Sequence, residues 1–194
     1  SDLRVVGKNG AEVWVTYIGD GNFYLNNMNT YNSLMYYNYI ESELSSMNSL
    51  TPATLHMTML LPNTNQMYCP AGLKLQLLYW DGNQYSKTFP EGTRIGFAVA
   101  REGYKCNGAP ITDASAYSFK RIIGSTLYPQ KDGDVRGNYY STPQLNQVGK
   151  SQAVTRWIED YGYCVTGLDI RPIGNAKSDY DFNDVLIAVS SSPI

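Results

Sequence analysis

The sequence carries little charge. Charged residues make up 16% of the 194 positions, and the net charge is −2. Ordinary soluble domains have about a quarter of their residues charged, so the surface must be largely neutral. No cluster of Lys and Arg occurs anywhere along the chain. The chain therefore lacks the electrostatic footprint of a nucleic-acid-binding protein, and we expect no nucleic-acid partner.

Histidine and cysteine are also scarce. His56 is the only histidine, and the three cysteines, Cys69, Cys106 and Cys164, have no CxxC spacing. This excludes a zinc site of the usual nitrogen and sulfur ligands. Three cysteines allow one disulfide and one thiol, but the spacing does not select the pair. A serine-protease-like triad would need His56 as its base, whereas its alternation with apolar neighbours predicts a place on the polar face of a strand.

No apolar run is long enough to span a bilayer, and no signal peptide is visible. The chain starts at Ser1 rather than at Met. We expect a single domain, residues 1–194, excised from a longer protein. A signal removed before Ser1 would leave no trace in this sequence, so its absence decides nothing about export. A chain of this length can bury roughly 70% of its unfolded surface as one domain.

In place of charge the sequence has 17 Tyr, 17 Gly and 16 Asn, a composition typical of short strands and tight turns on an extracellular surface. Asp81-Gly82-Asn83 predicts a hairpin turn, and Glu41–Leu50 is interpreted as a polar loop. The predicted fold is all-β with little helix: an antiparallel β-sandwich with jelly-roll-like or immunoglobulin-like topology. The predicted strands are Glu12–Ile18, Ser33–Tyr39, Leu55–Leu61, Leu73–Tyr79, Arg94–Ala100, Phe119–Ile123, Ala153–Ile158, Tyr163–Asp169 and Val185–Val189.

One segment near the end of the chain concentrates oxygen ligands. Asp179, Asp181, Asn183 and Asp184 fall within six positions and lead directly into the apolar run Val185–Val189. Oxygen donors at alternate positions of a loop suit Ca²⁺, which collects six to eight oxygens at about 2.3–2.6 Å. Ordinary turns also concentrate Asp and Asn, so spacing alone leaves both interpretations open. The EF-hand pattern is not met, because its positions 6 and 12 are Asp184 and Ser190 here.

The ordered motifs resemble the LruC-type domain of secreted and surface proteins, which is common among Bacteroidetes. Asp179–Val185 matches that family's Asp-x-Asp-Tyr/Phe-Asn-Asp run, and Gly167–Asp169 stands at its Gly-Phe-Glu-Asp, with Ile170 in place of the second acid. Phe89–Phe97 is similar to its Pro-x-Gly-x-x-Ile-Gly-Phe strand. Tyr139–Asn146 is similar to its Tyr-Ser…Leu-Asn segment.

The resemblance implies an exported β-sandwich, extracellular or on the outer-membrane surface, with a calcium-associated acidic loop. The metal ligands it implies are Asp179, Asp181 and Asn183, with Asp184 as a ligand or loop cap. Asp169 can join them if the strands before and after the loop pair. No cofactor other than Ca²⁺ is expected.

The predicted function is a noncatalytic surface module for adhesion, glycan binding or surface-assembly scaffolding, with an extracellular glycan or surface protein as partner. The alternative is a glycoside hydrolase or other carbohydrate-active enzyme with a carboxylate pair, for which Glu91, Glu102 and Glu159 are candidates. Six aromatic side chains are candidate sugar contacts, with packing in the core as the alternative for each: Trp14, Tyr36, Tyr37, Trp80, Tyr139 and Tyr140.

Overall fold

The predicted all-β sandwich is confirmed. The computed structural model describes residues 2–19, 32–45, 50–52, 55–65, 69–100, 121–123, 138–146, 150–151, 153–158, 163–168 and 185–193. Every strand pairing within these residues is antiparallel. In chain order the elements are β1 (Leu3–Arg4), β2 (Ala11–Gly19), β3 (Ser33–Tyr39), α1 (Ser42–Ser45), β4 (His56–Leu61), β5 (Lys74–Gln76), β6 (Tyr79–Trp80), β7 (Tyr85–Ser86), β8 (Thr88–Phe89), β9 (Arg94–Ala100), β10 (Arg121–Ile123), β11 (Asn138–Tyr140), a 3₁₀ turn (Pro143–Leu145), β12 (Ala153–Ile158), β13 (Tyr163–Leu168) and β14 (Val185–Pro193).

The strands form two large sheets and one small hairpin. The first sheet has the order β1-β9-β3-β4-β10, and β11 lies beside β1 on the same edge of β9. The second sheet has the order β12-β13-β14-β2-β5, with β8 also paired to β2. β6 and β7 pair only with each other among the described strands. β9 is a central strand, since it has strand neighbours on both sides.

The main core lies between the two sheets. In β2 the buried Val13, Val15 and Tyr17 alternate with Trp14 and Thr16, which are only partly buried, so one face of the second sheet points inward. This alternation is what the sequence shows, because successive side chains of a strand point to opposite faces. From the first sheet the same cluster takes residues of β3, β4 and β9, including Leu34, Tyr36, Leu60, Ile95, Phe97 and Val99.

The first sheet is buried on both faces. A second apolar cluster covers the side that points away from the second sheet, with Met35, Tyr37 and Met59 among its members. Leu145 of the 3₁₀ turn packs into this cluster, and Leu44 of α1 lies against it. Since both faces are covered, β3 and β9 have near-continuous apolar sequences rather than alternating ones.

The predicted strand Leu73–Tyr79 was wrong as a single element. Its backbone leaves the second sheet and enters the small hairpin, so it forms two short strands, β5 and β6. The Leu77 N–H donates to the Val13 carbonyl in the second sheet at 2.8 Å. One residue later, the Leu78 N–H donates to the Tyr36 hydroxyl from the first sheet at 2.8 Å. The apolar alternation is present in the sequence. However, the N–H of Leu77 bonds to a strand of the second sheet, and the N–H of Leu78 bonds to a side chain of the first sheet.

The predicted loop Glu41–Leu50 was also partly wrong, because it contains the short helix α1. The Ile40 N–H donates to Glu43 Oε1 at 3.1 Å, so the Glu43 side chain satisfies a backbone donor ahead of the helix. The Arg94 guanidinium meets Glu41 Oε2 at 3.0 Å and ties this segment to β9. An exposed ion pair adds little free energy, so α1 depends mainly on Leu44 packing against the first sheet.

A carboxylate near the start of the chain organises a cluster of hydroxyls. Asp2 accepts hydrogen bonds from the hydroxyls of Tyr39 and Thr142, and from Ser141 Oγ at 2.5 Å. Ser141 Oγ in turn accepts the Phe97 N–H at 2.8 Å. Asp2 therefore ties the first residues of the chain to β3, β9 and the segment before the 3₁₀ turn.

Replacing Asp2 with Ala is expected to lower the free energy of unfolding by about 2–3 kcal/mol, because the three hydroxyl donors lose a charged acceptor. Chemical denaturation of the two proteins measures the difference. The matched control is Glu91→Gln, which alters an exposed carboxylate in a turn and is expected to change stability by less than about 0.5 kcal/mol. Equal stability of Asp2→Ala and Glu91→Gln would contradict the anchoring role.

Candidate functional site

The acidic segment predicted to bind calcium lies outside the described residues. This holds for all five candidate ligands, Asp169, Asp179, Asp181, Asn183 and Asp184. The strands on either side of it are described. β13 ends at Leu168 and β14 begins at Val185, and these two residues are direct partners in the antiparallel ladder. The two residues that flank positions 169–184 therefore lie side by side in the second sheet.

Two further strands begin or end beside Leu168 and Val185, at the same end of the second sheet. Ala153, the first residue of β12, pairs with Leu168. Gly19, the last residue of β2, pairs with Leu186, and the register of β14 shifts between Leu186 and Ile187. Such a bulge increases the local twist of a strand and is frequent beside functional sites. Elsewhere in the described part of the chain, no group of three or more His, Cys, Asp or Glu is placed to hold a metal ion.

A groove of about 290 Å³ opens at the end of the first sheet, beside the β6–β7 hairpin. Its walls come from separate parts of the chain: the end of β3, α1 and the start of β4 on one side, and the hairpin on the other. The lining residues are Asn38, Tyr39, Ile40, Glu43, Leu50, Leu55, His56, Tyr79, Trp80, Asp81, Gly82 and Thr93.

Two side chains of β3 hold the hairpin by hydrogen-bonding to its backbone N–H and carbonyl groups, as the backbone of a neighbouring strand would. The Asn38 carboxamide donates from Nδ2 to the Trp80 carbonyl and accepts the Trp80 N–H at Oδ1, both at 2.9 Å. Two residues earlier, the Tyr36 hydroxyl donates to the Leu78 carbonyl and accepts the Leu78 N–H, both at 2.8 Å. The backbone of residues 78–80 is therefore held at two points by a strand with which it is not paired.

Aromatic rings build one wall of the groove. The His56 ring stacks on the Trp80 ring, with centroids 3.9 Å apart and planes 16° apart. The Tyr85 hydroxyl hydrogen-bonds His56 Nε2 at 2.7 Å and lies 3.1 Å from Thr58 Oγ1. His56 and Thr58, two residues apart in β4, both contact the Tyr85 hydroxyl, and the hairpin leaves His56 only partly exposed. Its described contacts position Trp80.

Two carboxylates lie at the mouth of the groove. Asp81 Oδ1 accepts the N–H groups of Gln84 and Asn83, at 2.8 and 2.7 Å, which closes the hairpin turn. These backbone donors, Gln84 first, lower the pKa of Asp81, so it is ionised at neutral pH. Burial raises the pKa of Tyr79, and the negative charges of Asp81 and Glu43 raise it further. The Tyr79 hydroxyl therefore stays protonated at neutral pH, with both acids near it.

Most of the aromatic residues proposed as sugar contacts belong to the core. Tyr36 and Tyr37 are almost inaccessible to solvent, and Tyr139 and Tyr140 are buried as well. Trp14 and Trp80 are partly exposed, and of these two Trp80 lines the groove while Lys74 Nζ lies 5.6 Å from the centroid of Trp14. Among the candidate hydrolase acids, Glu91 is exposed in a turn, and Glu102 and Glu159 lie outside the described residues.

The sequence pattern did not predict the groove. Only Asp81-Gly82-Asn83 gave a local signal, and the structure confirms the hairpin there, with Gly82 at φ 99°. The described part of the chain has no helix with the length and hydropathy needed to cross a membrane. Comparison of the chain with family models, with curated proteins and with solved structures finds no match in any of the three.

Proposed function

We propose that this chain is a noncatalytic, exported module whose β-sandwich is stabilised by Ca²⁺ bound to the acidic segment 169–184. In this proposal the module attaches to an extracellular glycan or to a surface protein, at the cell surface or outside it. The observation that carries the calcium proposal is the pairing of Leu168 with Val185. Asp169 was expected to join the other ligands only if the strands before and after the segment pair, and this pairing meets that condition.

Electrostatics favours a bound cation at this segment. Residues 169–184 include four aspartates, Asp169, Asp179, Asp181 and Asp184, and a lysine and an arginine, Lys177 and Arg171. Carboxylates drawn together without a cation repel each other and raise each other's pKa values. A Ca²⁺ ion removes that repulsion and accepts several oxygens at once. It would join the end of β13 to the beginning of β14, the strand between β13 and β2.

Calcium is expected to raise the melting temperature by about 5–10 °C. Saturation at 100 times Kd stabilises the native state by about 2.7 kcal/mol, and each kcal/mol is worth about 2–4 °C in a domain of this size. The measurement is thermal unfolding of the full chain in EDTA and in millimolar CaCl₂, with a calorimetric titration of CaCl₂ into the EDTA-treated, dialysed protein.

Single substitutions assign the effect to the segment. Asp181→Ala is expected to abolish the calcium-dependent shift, because it removes a central oxygen donor from the alternating set. Asp134→Asn is the matched control, since Asp132 and Asp134 form a second acidic pair that we interpret as an ordinary turn. Identical melting curves in EDTA and in calcium, or loss of the shift in Asp134→Asn but not in Asp181→Ala, would refute the calcium proposal.

A further inference from the structure

We infer that the groove between α1 and the β6–β7 hairpin is a binding site for a neutral saccharide. This inference deepens the proposed function, on which it rests for the nature of the partner, and it places the contact in a part of the molecule separate from residues 169–184.

The size and composition of the groove suit a sugar unit. About 290 Å³ lies near the lower end of the range for small-ligand sites. A pyranose presents hydroxyls around its rim and C–H groups on its faces, so it needs polar atoms and aromatic surface side by side. Both are present, since Trp80 and Tyr79 line the groove together with Glu43 and Asp81.

The polar groups of the groove determine which charge a ligand can carry. Ionised carboxylates only accept hydrogen bonds, so Glu43 and Asp81 require a ligand that donates them. Among the described residues that line the groove none is Lys or Arg, so none of them carries a permanent positive charge that would balance an anionic ligand. A uronic or sialic acid would therefore meet repulsion, whereas the hydroxyls of a neutral sugar would bind. The Tyr79 hydroxyl, protonated at neutral pH, adds a group that both donates and accepts.

The aromatic wall is positioned before any ligand arrives. Asn38 clamps both backbone groups of Trp80, and His56 covers one face of its ring. Because these contacts already fix the ring, little side-chain entropy remains to be lost on binding. The same stacking distinguishes a sugar site from a cage for an alkylammonium ion, which needs several ring faces directed at one point. Here the faces of His56 and Trp80 are directed at each other.

The test uses the full chain and defined probes. Cellotetraose, mannotetraose and chitotetraose are the neutral probes, tetragalacturonic acid is the anionic probe, and tetramethylammonium is the cationic probe. Titrations followed by calorimetry and by tryptophan fluorescence are expected to show binding of at least one neutral tetrasaccharide and of neither charged probe. Trp80→Ala is expected to weaken that binding at least tenfold, and Trp14→Ala, at the partly exposed tryptophan of β2, less than twofold.

A second variant covers the case in which Trp80→Ala does not fold. Glu43→Gln with Asp81→Asn keeps the oxygens that accept the backbone N–H groups of Ile40, Asn83 and Gln84, so the hairpin and α1 should persist. It removes both negative charges, and we expect at least a tenfold loss of affinity for the neutral saccharide with an unchanged melting temperature.

The inference is overturned if no neutral probe binds, if only a charged probe binds, or if the double variant binds as tightly as the parent. An equal loss in Trp14→Ala and Trp80→Ala would also overturn it. The two proposals fail separately. Saccharide binding that persists without any calcium effect refutes the calcium proposal alone, and a calcium effect without saccharide binding refutes the groove alone.

Discussion

Replacing Gly96 with Ala is expected to lower the free energy of unfolding by about 3 kcal/mol and the melting temperature by about 6–12 °C. Gly96 lies in β9 directly opposite Tyr37 of β3. A Cβ atom on Gly96 would lie 2.4 Å from Cε2 and from Cζ of Tyr37, and 2.6 Å from its hydroxyl oxygen. Real Cβ contacts are never this short, so one of the two strands would have to move.

The Tyr37 ring has no room to swing aside. Its side chain is 1% exposed, and its hydroxyl lies 2.6 Å from Thr142 Oγ1. It also packs against Tyr39 and Tyr140, with ring centroids 6.0 and 6.2 Å away. Moving the ring would break the buried hydrogen bond and open the cluster that covers the outer face of the first sheet. The clash must therefore be accommodated by the backbone, which is the costly outcome.

Gly72→Ala is the matched control for this substitution. Gly72 has φ 88° but no atom within 4 Å of an added Cβ, so the change costs only backbone strain of about 1–2 kcal/mol. A double variant, Gly96→Ala with Tyr37→Leu, should show strong coupling, because the smaller side chain leaves space for the new methyl group. Chemical denaturation of the parent, of the single variants Gly96→Ala, Tyr37→Leu and Gly72→Ala, and of the double variant measures both effects. Additive losses in the double variant would contradict the direct clash.

Alkaline solution is expected to unfold the protein cooperatively above pH 10. Burial raises the pKa of Tyr36 and of Tyr37 well above the ordinary value of 10.0. Burial also raises the pKa of Tyr39, and the adjacent negative charge of Asp2 raises it further. Burial likewise raises the pKa of Tyr140. The native state therefore keeps these hydroxyls protonated at a pH where an unfolded chain ionises them.

The sign follows from the direction of the shift. The native pKa lies above the unfolded value, so the contribution to stability is complete below pH 10 and is lost as the pH rises beyond it. At pH 12, each of Tyr36 and Tyr37 that is still protonated in the fold costs about 3 kcal/mol relative to the ionised unfolded chain. The combined cost of two such groups is comparable with the lower end of the total stability of a domain, which is about 5–15 kcal/mol.

Absorbance at 295 nm, which reports tyrosinate, should rise in the same transition that removes the far-ultraviolet circular dichroism signal. The same chain unfolded in urea provides the control, since its accessible tyrosines should ionise gradually near pH 10. A smooth titration of every tyrosine around pH 10, with the circular dichroism signal unchanged to pH 12, would contradict the assignment.

Strands with a strong local pattern could be predicted to the residue. Ser33–Tyr39, Arg94–Ala100 and Ala153–Ile158 have the same bounds in the sequence prediction and in the structure. Their apolar and β-branched residues are bounded by turns or polar segments, so propensity and burial agree. The break within Leu73–Tyr79 could not be predicted, because it depends on where Tyr36 places its hydroxyl, 42 positions away.

The two candidate sites differ in whether their residues are adjacent in the sequence. The acidic segment is continuous in the sequence, so composition alone brings it to attention. The strands on either side of it pair, and its metal ligands stay a prediction. The groove combines residues from Asn38 to Thr93 that no spacing rule connects. His56 illustrates the limit: its alternation with apolar residues predicted the polar face of a strand, but not that the hairpin brings Trp80 and Tyr85 over it.

The place of β14 within the second sheet sets the order in which the domain can assemble. β14 follows all the other described strands in the chain, yet it lies between β13 and β2. During synthesis, β2 leaves the ribosome long before its eight partners from Leu186 to Pro193 exist. Until then the second sheet lacks its middle, and closing it requires a contact between distant parts of the polypeptide, which is kinetically slow. Closure of the second sheet therefore waits for β14, the last of these strands to be synthesised.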